Sequence, residues 1–150
     1  MSMEAAERLA RIAVVEDNAA DVYLLQKALQ RAQVKYDLYH FTDGEAALHF
    51  FLQEDAYHDA PHPDLLVLDL HLPRIDGPQV LQRLRERNVL PQMPVIAFTT
   101  STAPHDRVIM EALGVASYVV KSSDLARYLQ VGQLIKEVLE ATQQTREVEA

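Results

Sequence analysis

The 150-residue sequence contains no cysteine and only four glycines. The absence of cysteine excludes disulfides, thiol catalysis and metal sites built on thiolates. No apolar run approaches the ~18 residues that a membrane span needs, and the opening MSMEAAERLARIAVV lacks a signal-peptide pattern. We therefore expect a cytoplasmic protein with no membrane segment, stabilised by its hydrophobic core alone.

Positive charge is also scarce, because 14 lysines and arginines face 22 aspartates and glutamates, for a net charge of −8. Such a balance argues against a nucleic-acid surface, whose affinity depends on neutralising phosphates. The 49% hydrophobic content is ordinary for a globular protein. We expect one domain over residues 1–150, with a core from about residue 11 to about residue 140 and a polar C-terminal tail.

Short apolar runs alternate with segments of helical period along the chain. Strands are predicted over residues 11–15, 36–41, 65–68, 94–99 and 117–120. Helices are predicted over residues 21–32, from Asp43 as N-cap to 52, from near Pro78, over 104–113, and as one helix from about Asp124. Strict alternation predicts an α/β fold with an open five-stranded parallel sheet between two helix layers. The fold that we expect is a flavodoxin-like (βα)5 sandwich of strand order 2-1-3-4-5, in which strands one and three are neighbours.

Charged and hydroxyl side chains follow four of the five predicted strands. Glu16 and Asp17 follow the first, Asp69 the third and Lys121 the fifth, while Thr99 ends the fourth. The carboxyl ends of parallel strands meet at one edge of the sheet, where ligands bind. Three carboxylates there would repel one another unless a cation lies among them, and Mg²⁺ is the usual choice where phosphate is handled.

This grouping predicts phosphoryl chemistry. A carboxylate beside Mg²⁺ and a lysine can attack a phosphoryl donor and become an aspartyl phosphate. The metal and Lys121 would neutralise the phosphoryl oxygens, and the Thr99 hydroxyl would donate a hydrogen bond to one of them. Compensation by the metal and Lys121 would explain how a charged residue, Asp69, is tolerated at the end of a fully apolar strand.

Four motifs in this order, VVEDN, LDLHLPRIDG, PVIAFTTS and YVVK, resemble the response-regulator receiver domain of two-component signalling. The resemblance extends from about Arg11 to the last helix. It implies that a sensor histidine kinase donates the phosphoryl group to Asp69, the phosphoacceptor. It also implies the other site residues: a Mg²⁺ site formed by Glu16, Asp17, Asp69 and the main-chain oxygen of His71, the phosphate-pairing Lys121, and a switch formed by Thr99 and Tyr118.

Three less specific motifs, EDNAADVYLLQKAL, DAYHDAPHPD and TTS, resemble segments of the small regulators paired with bacterial phytochromes. A bacteriophytochrome is therefore the expected kinase. Because few residues follow the last strand, we expect output through contacts with a downstream protein. The family also implies a homodimer through the face that runs from strand four to helix five, the last helix.

Two other functions fit parts of this pattern. A pseudo-receiver would bind partners without phosphorylation, and two departures from the family, Ser122 where proline is usual and Thr100 where a small residue is usual, keep it open. A phosphatase with an aspartate nucleophile would need a second acid two residues after that nucleophile, where His71 stands. We expect a trans peptide before Ser122, because non-proline cis bonds cost about 2.5–4 kcal/mol.

Overall fold

The computed structural model describes residues 8–149 and the side chains of residues 8–145. Its strands are β1 (Ala10–Val15), β2 (Tyr36–Phe41), β3 (Leu65–Leu68), β4 (Val95–Thr99) and β5 (Ser117–Val120). Its α-helices are α1 (Ala19–Arg31), α2 (Gly44–Phe51), α3 (Gly77–Glu86), α4 (Pro104–Ala112), α5 (Leu125–Tyr128) and α6 (Val131–Glu149), and a 3₁₀ turn spans Asp55–Tyr57. None of these helices is long and apolar enough to cross a lipid bilayer.

The five strands form one parallel sheet in the order β2-β1-β3-β4-β5, which confirms the predicted fold class. Val15 pairs with Phe41 on one side and with Leu68 on the other. Leu68 in turn pairs with Ala97 of β4. This register brings the ends of β1 and β3 level, so the residues that follow them enter the same edge of the sheet.

Side chains alternate across the sheet and form two separate cores, one on each face. In β1, Ala13 and Val15 pack with α2, α3 and α4, whereas Ile12 and Val14 pack with α1, α5 and α6. Burial on both faces explains the continuous apolar run of β3. The three-layer arrangement therefore follows from the central strands β1, β3 and β4, which bury side chains on both faces.

Asparagine and aspartate side chains begin several helices where the sequence places them. Asn18 caps α1 and accepts hydrogen bonds from the main-chain amides of Ala20 and Asp21. The predicted N-cap Asp43 accepts from Ala46 N–H at 2.8 Å. Asp76 forms a capping box at the start of α3. These caps satisfy amides that have no partner within the helix.

The last helical region is divided, which makes the prediction of one continuous helix from Asp124 wrong. The break lies at Leu129 and Gln130, between α5 and α6. There the amides of Gln130 and Gly132 bond to carbonyls three residues back instead of four. The apolar periodicity of the sequence continues through this break, so the sequence pattern does not indicate where the helix is divided. Beyond residue 140 the polar tail continues α6 as helix to residue 149.

Gly132 allows α6 to approach α1 closely. A Cβ atom at this position would lie 2.1 Å from the carbonyl oxygen of Ala28, a main-chain atom that cannot move aside without shifting α1. Contact between these two helices closes the core on this face of the sheet. The close approach therefore depends on a residue without a side chain.

We predict that Gly132→Ala lowers the free energy of unfolding by about 2 kcal/mol, because the added methyl forces α6 away from α1. Urea unfolding monitored by circular dichroism measures the change. Gln133→Ala, at an exposed neighbouring position, is the matched control and should stay within about 0.5 kcal/mol of wild type. Since alanine is favoured over glycine by about 1 kcal/mol inside a helix, stabilisation by Gly132→Ala would contradict the prediction.

Candidate functional site

Three carboxylates meet at the carboxyl edge of the sheet. Glu16 and Asp17 follow β1, Asp69 follows β3, and one oxygen of each lies within 4.8 Å of the others. Glu16 and Asp69 are buried, at 5% and 9% exposure, whereas Asp17 is exposed. The expected convergence of the three side chains is thus observed. A group of hard oxygen ligands at this spacing, open to solvent on one side, fits a divalent cation.

Lys121, directly after β5, bonds two of these acids, Glu16 and Asp69, and a further carboxylate, that of Asp21. Its Nζ donates to Glu16 Oε1 at 2.5 Å, to Asp21 Oδ2 at 3.0 Å and to Asp69 Oδ2 at 3.3 Å. The Lys121 side chain is only 5% exposed. A buried ammonium with three carboxylate partners has every N–H satisfied.

Burial and charge act in opposite directions on these groups. Burial raises the pKa of Glu16 to about 7, although its hydrogen bond from Lys121 works against this and the charge of Asp69 works with it. Burial alone would lower the pKa of Lys121, but its hydrogen bond to Glu16 and the charge of Asp69 outweigh burial and raise that pKa. Lys121 therefore remains a cation beside these acids.

The Asp69 carboxylate is oriented by its own loop. Its amide donates to the Val15 carbonyl at 3.1 Å, and its Oδ1 accepts from Leu70 N–H at 2.7 Å. Gly77 packs so closely that a Cβ there would lie 2.3 Å from the Asp69 carbonyl oxygen. Oδ2 faces Lys121. Both oxygens of the predicted phosphoacceptor therefore point in defined directions.

Thr99 and Tyr118, the predicted switch residues, meet at the loop after β4. Thr99 is fully buried, and its Oγ accepts from Ser101 N–H at 3.3 Å. The Tyr118 hydroxyl donates to the Ser101 carbonyl at 3.1 Å, and the Arg107 guanidinium lies 4.6 Å from the centre of its ring. In this structure both side chains are therefore attached to the same short loop.

His71 and Ser122 lie at the margin of the site. The exposed His71 side chain reaches towards α4, with Nε2 3.7 Å from Asp106 Oδ2. The peptide before Ser122 is trans, as expected, since the described residues contain no cis bond. The Ser122 Oγ accepts from Asp124 N–H at 3.0 Å and so shapes the loop into α5.

Two residues of the site were missed by sequence reasoning, Asp21 and Tyr128. Asp21 bonds Lys121, and the Tyr128 hydroxyl donates to Asp21 Oδ1 at 2.5 Å. Burial, followed by the hydrogen bond with Asp21, raises the pKa of Tyr128, which keeps its hydroxyl protonated as a donor. The sequence contains a weak indication of Asp21. It is an acid in the first turn of α1, the helix that follows β1, and the start of that helix lies at the carboxyl edge of the sheet. In the sequence, Tyr128 cannot be distinguished from the other residues on the apolar face of its helix.

The fold and site together define a flavodoxin-like α/β protein with an acidic cluster and a buried lysine at the carboxyl edge of its sheet. The chain belongs to the response-regulator receiver-domain family, whose model matches residues 12–133.

Several relatives resemble this chain over most of its length. The response regulator Rcp1 of Synechocystis sp. is 37% identical over 114 residues, which covers 76% of this chain and 78% of Rcp1. The crystal structure of the phosphorylated cyanobacterial phytochrome response regulator RcpA has a TM-score of 0.82 and 35% identity, covering 90% of this chain and 96% of that one. The Mn²⁺-bound structure of Rcp1 has a TM-score of 0.78 and 35% identity, covering 85% and 91%.

We predict that Mg²⁺ stabilises the protein and that Asp17→Asn weakens this effect. A cation that binds only the folded chain adds about 2.7 kcal/mol at a concentration of 100 Kd. With one carboxylate replaced by an amide, the Mg²⁺ concentration that gives a set rise in Tm should increase at least about tenfold. Thermal unfolding over a Mg²⁺ titration measures it.

The matched control is Asp37→Asn, an exposed aspartate on β2 away from the cluster. It should show the wild-type response to Mg²⁺. An unchanged response in Asp17→Asn would show that Asp17 is not a ligand.

Proposed function

We propose that this chain is a response regulator whose Asp69 accepts a phosphoryl group from a sensor histidine kinase in a Mg²⁺-dependent reaction. The observation that carries the proposal is the position of Lys121, whose Nζ lies 3.3 Å from Asp69 Oδ2 beside a cluster of three carboxylates. A nucleophilic carboxylate with a fixed cation beside it is what phosphoryl transfer to aspartate needs.

In the proposed step, an Asp69 oxygen forms a bond to phosphorus while the bond from phosphorus to the kinase histidine nitrogen breaks. The histidine nitrogen keeps the electron pair of the broken bond. The Leu70 amide keeps the carboxylate oriented, and Lys121 moves its hydrogen bond from Asp69 to a phosphoryl oxygen. Mg²⁺, held by Glu16, Asp17, Asp69 and the main-chain oxygen of His71, supplies further neutralising charge.

The Thr99 hydroxyl connects this event to the surface. On phosphorylation it turns to a phosphoryl oxygen and gives up its bond from Ser101 N–H. The loop carrying Ser101 is then free to move, and Tyr118, bonded to the Ser101 carbonyl, follows it inward. Two discrete arrangements of one loop and one ring make a switch whose balance phosphorylation shifts.

The proposed kinase is a bacteriophytochrome, and the chain is proposed to work as a single receiver domain that signals through protein contacts. The similarity to Rcp1 over 78% of its length and to the phytochrome regulator RcpA supports both points. The receiver family is not in general one of enzymes, so the chemistry proposed for Asp69 is limited to its own phosphorylation and dephosphorylation.

The pseudo-receiver remains the alternative. An intact group of Glu16, Asp17, Asp69 and Lys121 gives no reason to expect loss of phosphorylation. Phosphatase chemistry is disfavoured, because the residue two positions after Asp69 is His71, whose ring contacts Asp106 instead of standing beside Asp69 as an acid.

We predict that acetyl phosphate with Mg²⁺ adds one phosphoryl group to the wild-type protein and none to Asp69→Asn. The amide cannot act as the nucleophile, whereas its size and shape preserve the fold. Intact-mass spectrometry measures the gain, and a sample with EDTA tests the requirement for metal. Asp37→Asn, as the matched control, should gain the same mass as wild type.

A gain of phosphoryl mass in Asp69→Asn would show that Asp69 is not the acceptor. No gain in either protein, from acetyl phosphate or from a purified bacteriophytochrome kinase, together with no structural response to beryllofluoride, would favour the pseudo-receiver.

We further propose that two copies pair through the outer side of β5. Among the described strands none pairs with the outer side of β5, and a groove of about 700 Å³ runs between this edge strand and the last helices. Val119, Val131 and Leu134 give the groove an apolar floor, and Arg127 and Glu137 line it. We propose that Arg127 of one copy faces Glu137 of the other across a two-fold axis.

Leu134→Arg should weaken self-association at least about tenfold, because a charge replaces an apolar side chain that lines the groove. Sedimentation equilibrium, with and without beryllofluoride, measures it. Leu9→Arg, which alters an apolar residue 41% exposed before β1, is the control and should associate like wild type. A wild-type protein that stays monomeric in both states would refute the dimer.

A further inference from the structure

Asp21 and Tyr128 form a hydrogen-bonded pair next to Lys121, which also bonds the proposed phosphoacceptor Asp69. The Tyr128 hydroxyl donates to Asp21 Oδ1 at 2.5 Å, and Asp21 Oδ2 accepts from Lys121 at 3.0 Å. Each Asp21 oxygen thus has its own donor. The carboxylate is bonded at both ends and has no freedom to rotate without losing a partner.

The pair is built into the scaffold. Asp21 lies in the first turn of α1, where its amide is held by the Asn18 cap. Tyr128 is 6% exposed at the end of α5, with its ring 5.1 Å from that of Phe98 in an edge-to-face contact. Asp21 and Tyr128 therefore join the start of α1 to the end of α5 across the top of the sheet.

The position of Lys121 depends on all three of its acceptors. Its ammonium carries three N–H groups, and Glu16, Asp21 and Asp69 each accept one. Without Asp21, one N–H would have no carboxylate, and the flexible four-carbon side chain would have fewer constraints near Asp69. Its distance to the reacting carboxylate is therefore partly set by a residue that does not touch Asp69.

We propose that Asp21 is a positioning residue for Lys121 in phosphoryl transfer, and that Tyr128 acts on the same lysine by holding Asp21. Asp21 directs the ammonium, and the Tyr128 hydroxyl fixes the carboxylate that does so. The inference rests on the proposed function of Asp69 and adds two residues to its machinery. Positioning of a charged group near a reacting atom contributes to rate even without contact with that atom.

The experiment compares Asp21→Asn, Tyr128→Phe and the double variant with wild type. The controls are Asp37→Asn and Tyr23→Phe, which make the same chemical changes at exposed positions. Phosphorylation by acetyl phosphate is measured by intact mass at saturating Mg²⁺, so that metal affinity does not enter. The Lys121 Nζ–H signal in a ¹H–¹⁵N NMR spectrum of the unphosphorylated protein reports directly on whether the ammonium is held.

We expect Asp21→Asn to slow phosphorylation about tenfold, as loss of a positioning partner commonly does. Tyr128→Phe removes one hydrogen bond and keeps every charge, so we expect it to slow the reaction about threefold. The double variant should be no slower than Asp21→Asn, since both act through one contact. The Nζ–H signal should broaden in all three variants and stay sharp in both controls.

Three results would overturn the inference. A wild-type rate and a sharp Nζ–H signal in Asp21→Asn would show that Lys121 is held without it. A faster reaction would show that Asp21 competes with Asp69 for the ammonium. Full multiplication of the two effects in the double variant would show that Tyr128 acts elsewhere. If Asp21→Asn does not fold, Tyr128→Phe alone decides, through its rate and its NMR signal.

Failure of the proposed function is distinguishable from failure of this inference. If wild type takes no phosphoryl group, Asp69 is not an acceptor, whereas the Nζ–H signal still shows whether Asp21 and Tyr128 hold Lys121. If wild type is phosphorylated and the signal does not change in the variants, only the positioning role is lost.

Discussion

The buried ammonium of Lys121 is the interaction on which the rest of this edge of the sheet depends. The carboxylates of Glu16, Asp21 and Asp69 lie within hydrogen-bond distance of one nitrogen. Without that cation they would repel one another at low exposure, where charge is poorly screened. Burial raises the pKa of Glu16 to about 7. One ammonium beside the side chains of Asp17, Asp21 and Asp69 leaves an excess of acidic groups at this edge. The residual negative charge suits the binding of a divalent cation.

The strand that precedes Lys121 links the site to the outer surface of the protein. Lys121 directly follows β5, the edge strand, and Tyr118 lies on that strand with its hydroxyl bonded to the loop after β4. The groove beyond β5 is lined by the residues around Lys121 and by the last helices. One strand and one loop therefore connect the edge that holds Asp69 to this groove.

Much of the fold and of the site was predictable, and for one reason. Parallel strands buried on both faces are apolar at every position, so a polar residue such as Asp69 at the end of one stands out. Once the strand order is known, the ends of β1, β3, β4 and β5 must meet at one edge. The division of the last helix was not predictable, because its apolar period continues through Leu129 and Gln130. The break is accompanied by a backbone contact, that of Gly132 with Ala28, which leaves no periodic signal.

The sequence by itself determined the alternation of strands and helices, which follows from local periodicity, and the residues that stand at the strand ends. The strand order was implied by the resemblance of four motifs to the receiver family. Only the tertiary structure decided which side chains form hydrogen bonds with one another. Lys121 and Glu16 are 105 residues apart, and Tyr128 and Asp21 are 107 residues apart. Pairings over such separations depend on helix packing and on rotamers to within about an ångström. Local pattern carries no information at that scale, because a hydrogen bond needs a distance of about 3 Å and a suitable angle.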